Sequence, residues 1–129
     1  MEPEYENPWA EYGDYFDTAG LAEFLGTTTD AVDRAIAAGE VLYLVESDGE
    51  TLMPTSQFPG AEHGLVPQLG EMTARMDPAR TDPAGVLIWA LAPQKALSGR
   101  TPIEVLRSDD AAAVTQLMET ASRIGAFVG

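Results

Sequence analysis

Six consecutive apolar residues, Val86-Leu87-Ile88-Trp89-Ala90-Leu91, narrow most sharply what this chain can fold into. A helix apolar around its whole circumference has to be buried on more than one side, in its own core or against a partner. Pro93 ends it, because proline has no amide donor and clashes with the preceding turn. A short loop follows, with Leu97 its only large apolar residue and Gly99 suited to a left-handed backbone position. Thr101-Pro102-Ile103-Glu104 then reads as a helix start. Thr101 is the N-cap, Pro102 takes the first helical position and Glu104 closes a capping box. The stretch 86–107 is therefore a buried helix, a fixed turn and a capped helix, with Arg100 at the joint.

The flanking segments supply helices for it to pack on. Upstream, Val66, Leu69, Met72, Thr73 and Met76 follow helical spacing and form a core-facing stripe. Thr81-Asp82-Pro83 starts the central helix by the same cap-then-proline logic. Downstream, a last helix begins after Ser108, with Asp109 and Asp110 at its positive end. Val114, Leu117, Met118, Ala121 and Ile124 form its apolar stripe, and Gly125 reads as a C′ stop. Ala126-Phe127-Val128-Gly129 would then be an apolar tail, tucked onto the domain or inserted into a partner.

Residues 17–38 read as two short helices joined by a tight turn. Asp17 or Thr18 caps the first, Gly26 ends it, and Thr28 or Thr29 caps the second. Leu21, Ala22, Phe24 and Leu25, then Val32, Ala35 and Ile36, are their apolar residues. Val41–Val45 and Thr51–Met53 flank Ser47-Asp48-Gly49-Glu50, a strong hairpin signal. Over residues 17–60 this order resembles a winged helix-turn-helix of the excisionase or MerR kind. The second helix would offer Thr28, Thr29 and Arg34 to a major groove, but also Asp30 and Asp33. Arg34 is the only basic residue between positions 17 and 58, where Asp17, Glu23, Asp30, Asp33, Glu40, Glu46, Asp48 and Glu50 are acidic. Phosphate contacts supply much of DNA affinity, so DNA binding by this unit alone is expected to be weak. Ahead of it, residues 1–16 form an acidic aromatic arm. Its Tyr5, Trp9, Tyr12, Tyr15 and Phe16 are costly to expose, so it packs back on its own chain or hooks onto a second subunit or partner. The single histidine, His63, lies in a loop with no second ligand nearby, and no metal or acid–base role is assigned to it.

Trp89, Leu91, Pro93, Leu97, Gly99-Arg100-Thr101-Pro102 and Leu106 together resemble the toxin-binding domain of the Xre/MbcA/ParS antitoxins. That pattern runs W-L-x-x-(N/P)-x-x-L-x-G-R-x-P-x-x-L-L, and the likeness covers residues 65–129. The chain departs from it where Gln94 follows Pro93 in place of the usual Asn-Pro pair. The expected fold is mainly α: the winged helix-turn-helix-like unit with one β-hairpin, followed by the helical toxin-binding domain (65–129) with a C-terminal tail that the resemblance implies. The resemblance implies a type II antitoxin that binds and neutralises a RES-domain toxin, a family that degrades NAD, with no catalytic residue or cofactor of its own. The implied partner-binding residues are Trp89, Pro93, Leu97, Gly99, Arg100, Pro102 and Leu106. Ile124, Phe127, Val128 and Gly129 join them, because in relatives the C-terminal segment approaches the toxin's active site. A hetero-oligomeric complex with the toxin, and self-association of the chain alone, are the expected assemblies. A winged helix-turn-helix transcriptional regulator and a non-enzymatic self-associating adaptor remain the alternatives.

Composition fits that expectation. Seven basic against 21 acidic residues leave a net charge of −14, which repels nucleic acid and favours a basic partner; solubility or salt adaptation would need the same surface. A toxin that holds an anionic dinucleotide should have an electropositive pocket, which an acidic protein complements. A hydrophobic content of 45% is that of a folded chain. Cysteine is absent, which excludes disulfides and thiolate sites and fits a reducing cytoplasm. No run of about 18 apolar residues and no basic-then-apolar N-terminus is present, so neither a membrane span nor a signal peptide is expected. There is no phosphate-cradling glycine loop, dinucleotide fingerprint, metal-spaced histidine pair or serine elbow, so the expected class is non-enzymatic.

Overall fold

A computed structural model describes residues 14–58, 60 and 64–128. The described chain is mainly helical, with a small antiparallel sheet in its N-terminal part. In order it forms β1 (Tyr15–Phe16), α1 (Thr18–Leu25), α2 (Thr29–Ala37), β2 (Leu44–Val45), β3 (Thr51–Pro54), α3 (Leu69–Met76), α4 (Pro83–Ala90), α5 (Pro102–Arg107) and α6 (Ala111–Val128). None of these helices is long and apolar enough to cross a membrane.

The N-terminal helices start and stop on local chemistry. Asp17 caps α1 by accepting from the Gly20 amide at 2.7 Å, and Gly26 ends it at φ +69°. Thr28 caps α2 through the Ala31 amide at 3.2 Å. In the hairpin turn Asp48 Oδ1 accepts from the Glu50 amide at 2.9 Å, beside Gly49 at φ +89°. Sequence reasoning placed Tyr15 and Phe16 in the arm, whereas they form an edge strand. They sit opposite Pro54 and Met53, giving the sheet order β1-β3-β2. A two-residue strand has no alternation to read, and its partner lies far along the chain.

Neighbouring strand residues point to opposite faces, and here each face serves a different core. Leu44, with Leu52 and Tyr15 beside it, belongs to a cluster built mainly from α3, α4, α5 and α6. Met53, with Phe16 beside it, belongs to a second cluster with Leu21, Val32, Val41 and Phe58. Phe16 and Phe24 lie 4.9 Å apart between centroids, and each lies 6.2 Å from Phe58.

Three polar side chains tie the segments together. Gln57, fully buried, accepts from the Leu42 amide at 2.9 Å and donates to the carbonyls of Leu42 (2.9 Å) and Pro54 (3.1 Å). Arg107, in the last turn of α5, donates to the carbonyls of Gln57 at 2.8 Å and Gly64 at 3.1 Å. Its partial burial lowers the guanidinium pKa from the ordinary value. Thr73 of α3 donates to the Gly39 carbonyl at 2.9 Å, just past α2.

The expected stripe of α6 is observed, with Leu117, Met118 and Ala121 buried and Val114 and Ile124 packed at the edge of the core. The stop expected at Gly125 is not. The helix runs on to Val128, so residues 126–128 continue α6 instead of leaving it as a tail. Gly125 has a different purpose: a Cβ there would collide with the Arg75 carbonyl oxygen, so glycine lets α6 lie against the end of α3. The helix α4, expected to be buried on more than one side, is buried over part of its circumference. Val86, Leu87 and Ala90 are buried, but Trp89 is half-buried and Ile88 is 44% exposed.

Candidate functional site

The joint between α4 and α5 is built from hydrogen bonds that local sequence specifies. The entry to α4, at the end away from that joint, is set by Asp77, only 7% exposed, whose carboxylate accepts from the amides of Thr81 (3.1 Å) and Asp82 (2.8 Å). That fixes the loop entering α4. Asp82, the neighbour of Thr81, is the cap, accepting from the Gly85 amide at 3.0 Å with Pro83 at the first turn.

At the other end of α4 the carbonyls of the last turn need donors. The side-chain amide of Gln94 supplies them, donating to Trp89 at 3.0 Å and Ala92 at 3.1 Å. Its backbone closes the loop: the amide donates to the Arg100 carbonyl at 3.0 Å, and the carbonyl accepts from Gly99 at 2.9 Å. Ser98 and Gly99 both have positive φ, 60° and 83°, which reverses the chain. Gln94 is where the chain departs from the resembled pattern, and here it holds the turn. The capping box expected at the start of α5 is present: Thr101 donates its amide to Glu104 at 2.9 Å, and the Glu104 amide donates to the Thr101 hydroxyl at 3.1 Å.

Arg100 reaches from this turn to α6. Its Nη2 lies 3.2 Å from Asp110 Oδ2, while Asp110 Oδ1 accepts from the Ala113 amide at 3.1 Å at the start of α6. The Ala113 N–H first, and then the Arg100 guanidinium, hold the Asp110 carboxyl below the usual carboxylate range. Both side chains of the pair remain substantially exposed.

The residues singled out from sequence fall into two sets. Leu97, Pro102 and Leu106 are buried, so they shape the joint from within. Trp89, Pro93, Gly99, Arg100 and Ile124 reach the surface at least in part. The structure brings Trp89 and Ile124 to one groove of about 240 Å³, with Met76 and Val86 in its lining and Asp77 and Asp82 beside them. Pro93, Gly99 and Arg100 do not line that groove. Asp77 and Met76 were not assigned to the site from sequence. Asp77-Pro78 is a turn-initiating pair, the one local signal that points to the loop. Gly129 and the side chains of Phe127 and Val128 lie outside the described residues, as do His63 and arm residues 1–13.

Thr28, Thr29 and Arg34 are exposed at α2, but so are Asp30 and Asp33. The Thr28 hydroxyl is engaged in the cap. Among the described residues no group of three or more His, Cys, Asp or Glu side chains is arranged to hold a metal ion. Comparison of the chain with protein-family models, with curated proteins and with solved structures gave no match.

Proposed function

We propose that this chain is a cytoplasmic, non-enzymatic antitoxin that binds and neutralises a RES-type, NAD-degrading toxin. The observation that carries the reading is the α4–α5 joint. A half-buried Trp89 and a Gly99-Arg100 turn are held in place by Gln94 and by the Thr101–Glu104 box, on a chain of net charge −14. A rigid polar–aromatic surface on an acidic body suits capture of a basic protein. Because α6 continues to Val128, the segment brought to the toxin's active site is the end of a helix that contains Phe127 and Val128.

Co-expression with a RES-type toxin tests this directly. The two proteins are expected to co-elute, with NAD consumption suppressed. Truncation after Ala126 should leave the complex intact and restore NAD consumption, because the joint is untouched. No co-elution would refute the partner. A truncated chain that still silences the toxin would place inhibition in the body of the domain.

A further inference from the structure

We propose that the groove between α4 and the C-terminal half of α6 receives an arginine side chain of the partner together with an apolar residue next to it. This rests on the reading above for the partner's identity, but its chemistry comes from the groove alone. The Trp89 ring and Ile124, with Met76 and Val86 beneath, offer apolar and aromatic surface. Asp82 stands exposed at the rim; its Oδ1 caps α4 through Gly85, and its Oδ2 accepts no hydrogen bond among the described residues. Asp77 adds a second negative charge in the wall, and among the described lining residues none is basic.

Trp89 and the carboxylates of Asp77 and Asp82 line one groove, and guanidinium matches that combination, because its planar face suits an aromatic ring and its fork of donors suits an acid. Lysine would lose the planar stacking. A volume of about 240 Å³ holds one or two side chains and falls short of the roughly 300–1,000 Å³ typical of a small-molecule site. Two other occupants fit worse. A second copy carries the same charge of −14, and the chain's own arm sets its Trp9 and Tyr12 among Glu2, Glu4, Glu6 and Glu11. A second groove of about 270 Å³, between α1 and α2, has no charged lining residue and so nothing to select an occupant.

The test uses the full chain with Trp9→Phe, so that emission reports Trp89 alone, titrated with twelve-residue amphipathic peptides of Arg/Leu, Lys/Leu and Glu/Leu composition. The Arg/Leu peptide is expected to shift Trp89 emission and to bind several-fold more tightly than Lys/Leu, with no shift from Glu/Leu. Asp82→Asn keeps the helix cap and removes the charge, so it should weaken binding about two- to fivefold. Ile124→Ala should weaken it about tenfold. Asp30→Asn, on α2, should leave it unchanged. Equal losses from Asp30→Asn and Asp82→Asn would mean diffuse charge attraction and overturn the proposal. So would a Trp89 response to self-association in sedimentation, without peptide. Should the toxin fail to bind while the Arg/Leu peptide still maps to Trp89, only the partner's identity falls. If the toxin is neutralised equally by Asp82→Asn and Ile124→Ala chains, only the groove falls.

Discussion

Replacing Gln57 by leucine is the sharpest perturbation of this fold, because the side chain is fully buried and all of its bonds run to backbone. The amide behaves as a short piece of strand laid beside Leu42, taking its N–H and satisfying its carbonyl, with Pro54 as a third partner. Leucine fills similar volume but leaves one donor and two acceptors without partners in the interior. Each orphaned group costs about 1–3 kcal/mol. Two belong to one residue and can relax together, so the sum is about 3–5 kcal/mol. Against a typical total of about 5–15 kcal/mol, that is a large share of the stability. Urea titration followed by circular dichroism should register it as a lower midpoint at unchanged slope. Gln57→Glu separates bonding from volume. It keeps the acceptor, loses the donors and buries a carboxylate beside two carbonyl oxygens, which raises the folded-state pKa of the new group. Its penalty should be full at neutral pH and shrink as pH falls and the acid regains a proton to donate. A Gln57→Leu cost below about 1 kcal/mol, or a Gln57→Glu cost independent of pH, would refute the reasoning.

Gly125→Ala should destabilise by about 2 kcal/mol, because the clash is with backbone and takes the upper end of the overpacking cost. Alanine's helix propensity favours it by about 0.8–1 kcal/mol, but overpacking against the Arg75 carbonyl costs about 1–3 kcal/mol or more; a raised Tm would show that α3 and α6 do not approach closely there. Asp110, whose folded-state carboxyl is held low, contributes stability that is complete above its unfolded value and is lost as pH falls through the folded one. Asp110→Asn keeps the contact to Ala113 but not the charge, so its Tm against pH should be flatter below about pH 4; an unchanged acid limb would remove Asp110 from that role. The full chain should bind duplex DNA no better than about micromolar at physiological salt, the non-specific range; nanomolar anisotropy titrations against its own promoter would reverse this.

What the sequence made legible is what neighbours within four residues decide. The Thr101–Glu104 box, the caps at Asp17 and Thr28 and the Asp48-Gly49 turn each depend on a donor and acceptor a few bonds apart. The α6 stripe was legible because one face of a long helix repeats its signal. Gln57 and Arg107 were not, since Leu42 lies 15 residues from Gln57, the carbonyls that Arg107 bonds lie 43 and 50 residues from it, and nothing local distinguishes either from surface polar residues. Gly125 was misread for the same reason. Glycine near the end of an apolar stripe looks like a stop, and only the position of the Arg75 backbone reveals a contact instead. The site divides likewise: the turn and its caps are local, whereas the meeting of Trp89 with Ile124 depends on how α3, α4 and α6 assemble.

The sheet whose faces serve two cores has a consequence for synthesis. On a ribosome, β1, β2 and β3 can pair once Phe58 has emerged, and the cluster holding Met53 and Phe58 can close. The opposite face, with Leu44 and Leu52, has its partners mainly in α3, α4, α5 and α6. At roughly 5–20 residues per second, the seventy or so residues after Phe58 take about 4–14 s to appear. Until those helices appear, the nascent N-terminal half presents a bare leucine face, the step at which a slowed ribosome would favour aggregation.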